Sequence, residues 1–469
     1  MKPLPYAISC LAHFILTSGK VCRLALVVIC LAAAIIVCQN VKADLVITDE
    51  NIGSYDDVNY GSDNLIFNIT GDVTNSTIWR ITGSGTVYKK GSGSLNLQGL
   101  MLFSSVENVV VNAGEFILSR DCFFHANVEI TKDANNTGTF TVATPDMGGS
   151  DLRNLTGNGE LKLENANAVG ARLLNTRDSE FSGVISGTGN LRKLGDYTLT
   201  LSGANTFTGN IEITQGSLTL KDGAIAANGE IIGYGSELTF EVSSGERLIT
   251  ITSSTRIYNE DKLVKTGNGA LKIISEAQDG VQAESWVISS GRIDCEGYFG
   301  TFPDGIEVES GATISAGNTV GEYKTRGSDI IIKSAGIALF EFDSYSPDEQ
   351  NYDMFVIGDG PDYTFTLEEG AIVELAFLRN DAESWAKEGA VYQLVDDSNF
   401  AKNQDDDIID YSSLLRGAGS NLFLLEGRKG QGLFLKYNPN PVFPEVPEPS
   451  TWALLALGVI GLFCLRKLR

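Results

Sequence analysis

The sequence predicts an all-β protein: a right-handed parallel β-helix with a β-rich C-terminal cap and a short C-terminal transmembrane helix. Three observations point there. Short segments alternate apolar and polar residues, as in Leu199-Thr200-Leu201, Ile211-Glu212-Ile213 and Leu218-Thr219-Leu220. Glycine is abundant and proline scarce, 51 against 11 in 469 residues. One pattern also recurs along the chain.

Alternation of period two places every second side chain on one face of a strand. Leu199, Leu201, Ile211, Ile213 and Leu218 are therefore expected inside, and Thr200, Glu212 and Thr219 outside. Glycines break the strands. Gly195, Gly203, Gly209 and Gly216 are expected at corners, where a positive φ suits glycine, and Asn205 is expected to turn or stack at one.

The recurrence has three copies. Leu191 to Leu201 aligns with Val87-Tyr88-Lys89-Lys90-Gly91-Ser92-Gly93-Ser94-Leu95-Asn96-Leu97 and with Leu263 to Ile273. Downstream, the intervals Gly91–Gly114, Gly195–Gly216 and Gly267–Gly291 are 23, 21 and 24 residues. A unit of this size marks a solenoid, because one rung cannot bury its apolar face alone and must stack on neighbours.

The chain then divides as follows: residues 1–43, a signal peptide; 44–320, β-helical repeats; 321–440, a β-rich cap or terminal domain with one short helix near Asn380 to Glu388; and 441–469, a linker, apolar helix and basic tail. The leader has a basic start ending at Arg23, an apolar run from Leu24 to Val37, and Val41-Lys42-Ala43. Cleavage is expected after Ala43. The run has 14 residues, short of the ~20 a spanning helix needs.

At the other end stands Val446-Pro447-Glu448-Pro449, then an apolar stretch through Trp452 to Leu465, then Arg466-Lys467-Leu468-Arg469. The two prolines keep the motif extended and out of the helix. The basic residues act as a cytoplasmic stop by the positive-inside rule, so everything before them is exported.

This tail resembles the PEP-CTERM sorting signal of Gram-negative bacteria. The resemblance implies that Val446, Pro447, Glu448 and Pro449 are read by an exosortase-type sorting enzyme. It implies a membrane-anchored precursor and then release to the cell surface or extracellular matrix, in association with exopolysaccharide and biofilm. The body has a resemblance of its own. Leu191 to Leu220 carries L-x-K-x-G, T-L-T-L-x-G-x-N-T-F-T-G and I-x-I-x-x-G-x-L, and looks like the autotransporter-associated β-strand repeat. Tyr197 stands where that repeat has a second glycine, which Gly93 and Gly269 keep in the other copies. Gly311 to Gly321 and Tyr352-Asp353 are similar to the closing turn of such passengers. No run of alternating membrane strands follows, so the chain is expected to depend on sorting rather than export itself.

Composition narrows the chemistry. The net charge is −24, and after residue 43 there are 31 basic against 59 acidic groups. Such a surface repels phosphate backbones, so no nucleic-acid partner is expected. Of seven cysteines only Cys122 and Cys295 fall outside the apolar ends. They allow one disulfide in an oxidising compartment, and two separate buried thiols are the preferred reading. His125 is the one histidine of the body and lacks a metal or catalytic set around it. Asp405-Asp406-Asp407 with Asp410, and Asp359-Gly360-Pro361-Asp362, read as solvated loops rather than calcium sites. No catalytic residue, metal or cofactor is expected.

The resulting expectation is a non-enzymatic surface or matrix protein for structure or adhesion, with polysaccharide a possible ligand and the bacterial membrane a partner through the C-terminal helix. Two other classes compete. A β-helical polysaccharide-degrading enzyme needs only paired carboxylates on adjacent rungs, and an ice-binding protein needs a regular outward threonine array.

Overall fold

In a computed structural model, the described residues are 44–441, apart from 79, 99–100, 120–121, 144–150, 165–170, 225–228, 253–254, 318–319, 344–350, 359–362, 379–381 and 403. The leader, Ala43, the sorting motif and the apolar tail lie outside them. Among the described residues no helix is long and apolar enough to cross a membrane. The chain forms two compact units, Met1–Leu152 and Arg153–Arg469, and both are β-solenoids.

In the first unit, three parallel ladders make three faces. One contains Leu45–Thr48, Leu65–Asn68, Thr86–Lys90, Asn108–Val111 and His125–Ile130. The second contains Val73–Asn75, Ser94–Leu97, Gly114–Leu118 and Gly138–Val142. The third contains Asp57–Gly61, Arg80–Gly83, Met101–Ser104 and Cys122–Phe123. Along the first ladder Leu65, Val87, Val109 and Val128 stand in register, and all four are buried. Along the second, Leu95, Phe116 and Phe140 do the same. Each such side chain contributes ~1.5–3 kcal/mol by leaving water, and stacking lets every rung share its neighbour's apolar surface.

In the second unit the chain again visits three faces in turn. The first face runs through Ala171–Leu174, Leu191–Leu194, Ile211–Ile213 and Ile231–Gly233. The second runs through Ser179–Phe181, Thr198–Leu201, Ser217–Lys221 and Glu237–Glu241. The third face gains regular strands at Glu246–Ile251 and Ala270–Ser275. Later strands are long because they turn a corner without breaking. Ile257–Thr266 pairs through its start with the first face and through its end with the second.

The parallel ladders run past residue 320, where the sequence reading places the end of the repeats. Ile330 pairs with Phe365, Ile337 with Ile372, and Val373 with Leu415. Only then does an antiparallel layer close the unit, in the order Val391–Asp396, Gly432–Tyr437, Phe423–Arg428 and Ile408–Asp410. The short helix is present as one turn, Ala382–Trp385, with Trp385 buried against Phe342 and Tyr392.

Candidate functional site

The predicted corner residues do two different jobs. Gly195 and Gly216 have φ of +80° and +71°, the left-handed conformation that favours glycine. Gly203 and Gly209 do not. They are small because the rung below approaches closely: a Cβ on Gly203 would lie 1.7 Å from Gly183 O, and one on Gly209 would lie 2.1 Å from Gly189 O. The expectation of a positive φ at those two is therefore corrected to a steric one. Asn205 is buried at its corner, and its Oδ1 accepts the Ile185 N–H at 2.9 Å. The residues expected inside are buried, and Thr200, Glu212 and Thr219 face out.

Sequence reasoning missed the lysine of L-x-K-x-G. It alternates with the leucine and so points inward, which hydropathy alone does not suggest. Lys89, Lys193 and Lys265 are all fully buried. Lys193 Nζ donates to Leu194 O, Gly195 O and Gln215 O at 3.0, 2.7 and 3.0 Å. Lys89 Nζ reaches Lys90 O, Gly91 O and Ala113 O, and Lys265 Nζ reaches Thr266 O, Gly267 O and Ser290 O. In each case three ammonium protons meet three carbonyls, two in the lysine's own turn and one in the turn of the next rung. Burial pulls each ammonium down to about 8, so it stays mostly protonated at neutral pH. The lysine is a clip between rungs, and the aliphatic stem fills the core above it.

The Gly311–Gly321 and Tyr352-Asp353 motifs meet in space. Asp353 is fully buried and accepts Ser315 Oγ, Gly321 N and Glu341 N at 2.9, 3.0 and 2.9 Å. Burial pushes its carboxyl up to about 7. Beside it, Arg292 donates to Asp294 and to Glu341, the latter at 2.9 Å. Burial also raises Asp294, against the pull of Arg292. Carboxylates two rungs apart, Asp294 and Glu341, are thus brought together through Arg292. They are buried and share one guanidinium, the arrangement of a structural lock.

An open groove of about 350 Å³ lies on the first face of the second unit. Its lining includes Gln278, Asp279, Tyr298, Lys324, Thr325 and Arg326. Tyr298 points outward because Phe299 takes the core position, and the residue is 44 % exposed. On the next rung Lys324 pairs with Tyr298 in register and holds its ammonium 5.4 Å from the ring centroid. A hydrogen bond to Glu322 keeps the Lys324 ammonium above its ordinary value. Arg326 reaches back 47 residues in sequence to bind Asp279 through Oδ2. Asp279 itself has φ +62°, an uncommon conformation for a residue with a Cβ.

The remaining candidates sit elsewhere. Thr200, Thr219 and Thr239 stand in one solvent-side column, in which Thr239 is already buried and which ends at Val264. The neighbouring column reads Thr198, Ser217, Glu237, so the array is one residue wide. His125 Nδ1 lies 3.1 Å from Asp151 Oδ2, a pairing the sequence did not suggest. Cys295 is a free, buried thiol, and burial raises it well above its ordinary value; the side chain of Cys122 lies outside the described residues. Asp405, Asp406, Asp407 and Asp410 are exposed. Asp359–Asp362 lie outside the described residues, as do Val446, Pro447, Glu448, Pro449, Trp452, Leu465, Arg466, Lys467 and Arg469.

Comparison with known proteins bears on the two ends of this argument. Residues 445–469 match the PEP-CTERM protein-sorting motif. A stretch of 72 residues is 42 % identical to the adhesin BmaC autotransporter of Brucella suis biovar 1 (strain 1330). That stretch is 15 % of this chain and spans 2 % of the adhesin's length. No solved structure matches.

Proposed function

We propose that this is an exported cell-surface or extracellular-matrix protein with a structural and adhesive role, delivered by an exosortase-type system in a Gram-negative bacterium. The observation that carries it is the sorting motif at residues 445–469, and a 72-residue similarity to an autotransporter adhesin supports it. The tail would hold the precursor in the membrane, Val446 to Pro449 would be the recognition segment, and the solenoid would be the cargo.

The body acts without catalysis in this reading. Its rungs present long, regular faces, and exopolysaccharide or biofilm matrix is the partner class that fits a sorted surface protein. The enzymatic alternative would have to use accessible carboxylates, whereas Asp294, Glu341 and Asp353 serve the internal lock. The one-residue width of the threonine column speaks against ice binding.

Replacing Pro447 and Glu448 with alanine in the native host tests the sorting step. The expected result is retention of an unprocessed precursor in the membrane fraction and loss of surface labelling. Unchanged processing and delivery would overturn it. Incubating the protein with polysaccharides and assaying reducing ends and unsaturated products tests the non-enzymatic reading, which reproducible turnover would sink.

A further inference from the structure

We propose that the groove beside Tyr298 is a sugar subsite that takes a hexose unit of a neutral polysaccharide. The proposal deepens the adhesive reading above and rests on it for its biological context, though not for its chemistry.

Three features of the groove argue for a sugar. The first is the Tyr298 ring. A hexose has an apolar face of C–H bonds, and an exposed aromatic ring whose rotamer is held is its usual complement. Here Lys324, itself tied to Glu322, sits against the ring. The second is the polar rim. Arg326, Asp279 and Gln278 offer N–H donors and carboxylate and amide acceptors, which suit neighbouring hydroxyls that both donate and accept. The third is unused capacity. Asp279 Oδ1 is shielded from solvent and accepts no hydrogen bond, on a residue with a strained positive φ of 62°. Strain of that kind collects at binding sites, where surrounding contacts hold it.

Charge selects the class. Lys324 and Arg326 are each matched by a carboxylate, Glu322 and Asp279, so the rim carries no net positive charge. The chain as a whole carries −24. A polyuronate would meet repulsion at long range and no compensating cation at close range. A neutral hexose avoids both costs. The volume of about 350 Å³ is at the small end of ligand sites, which suits one or two residues of a chain and weak binding at each.

The test uses the purified full-length protein with maltohexaose, cellohexaose and mannohexaose as neutral probes and trigalacturonate as the acidic one, read by ligand-observed NMR and calorimetry. Saturable binding of at least one neutral probe is expected. Tyr298→Ala should weaken it about tenfold, roughly the loss of one stacking contact. Tyr298→Phe should retain it, and Arg326→Gln should weaken it about threefold. Tyr197→Ala, at an exposed tyrosine outside the groove, should leave it unchanged, and the melting temperatures of the variants should stay near that of the parent. Failure of all neutral probes to bind, preference for trigalacturonate, or equal loss in Tyr197→Ala would overturn the proposal. Surface labelling of the same variants separates the two readings. Normal delivery without glycan binding sinks the subsite alone, while glycan binding in vitro without tail-dependent delivery sinks the sorting reading alone.

Discussion

Two stretches of the second unit use the same strand alternation to opposite ends. In Leu191–Leu220, core-facing strand positions are aliphatic apart from the clip lysine Lys193, and the solvent-side Thr200 and Thr219 are partly exposed. In Arg292–Asp353, positions on the solvent side of the strands are buried as well. Ile293 and Cys295 face the core, yet Asp294 between them is 1 % exposed. It stands in register with Ser315 and Leu339, which are also buried. The chain leaves the ladder after Ser315 and again after Phe342, and Asp353 at the second return binds Gly321 N at the first return and Glu341 N on the strand before the second departure. Alternation therefore decides which way a side chain points, and only the cover laid over the sheet decides whether that direction is wet. A carboxylate under cover is costly without a partner, and in the lock of the second stretch Arg292 serves Asp294 and Glu341 while Asp353 takes three hydrogen bonds.

The largest expected effect follows from that lock. Asp353→Ala strands two backbone N–H groups and a hydroxyl and should cost about 3–5 kcal/mol in urea denaturation at pH 5. The matching change in the open stretch, Thr219→Ala, should cost under about 0.5 kcal/mol. Similar costs at the two positions would break the comparison.

A second expectation concerns pH. The Asp353 carboxyl is raised from 3.8 to about 7 in the folded protein. Between about pH 4 and 7 the folded state therefore holds a proton that the unfolded chain has released. Stability from this group is full below about pH 4 and is lost as the pH rises to 7. Asp353→Asn removes the titration, so the parent should lose about 2–3 kcal/mol relative to it between pH 5 and 8. Parallel stability–pH curves for the two proteins would refute the assignment.

A smaller effect tests whether the lysine clip is a property of the corner itself. Lys193 lies between the first and second faces, and Lys265 between the second and third. Their three-carbonyl geometry is the same. Lys193→Met and Lys265→Met should each cost about 2 kcal/mol by leaving carbonyls unpaired, with the two losses within about 0.5 kcal/mol of each other. A loss at only one would mean that the neighbouring rungs, rather than the clip, set its worth.

The sequence by itself determined the rung size, the identity of the core-facing residues and the sorting tail. Each is a local property: Leu199 and Leu201 share a side because strands have period two, and Val446 to Pro449 is a contiguous segment. Tertiary structure decided the rest, because stacking places residues tens of positions apart a strand spacing of about 4.8 Å from each other. It carried the ladders on from residue 320 to Leu415, showed Gly203 to be a contact point rather than a left-handed turn, and turned Lys193 inward to carbonyls supplied partly by the next rung. It also assembled the groove from Asp279, Tyr298 and Arg326, which no spacing in the sequence connects. Alternation is written in the chain, but the partner that covers, clips or lines a position comes from another rung.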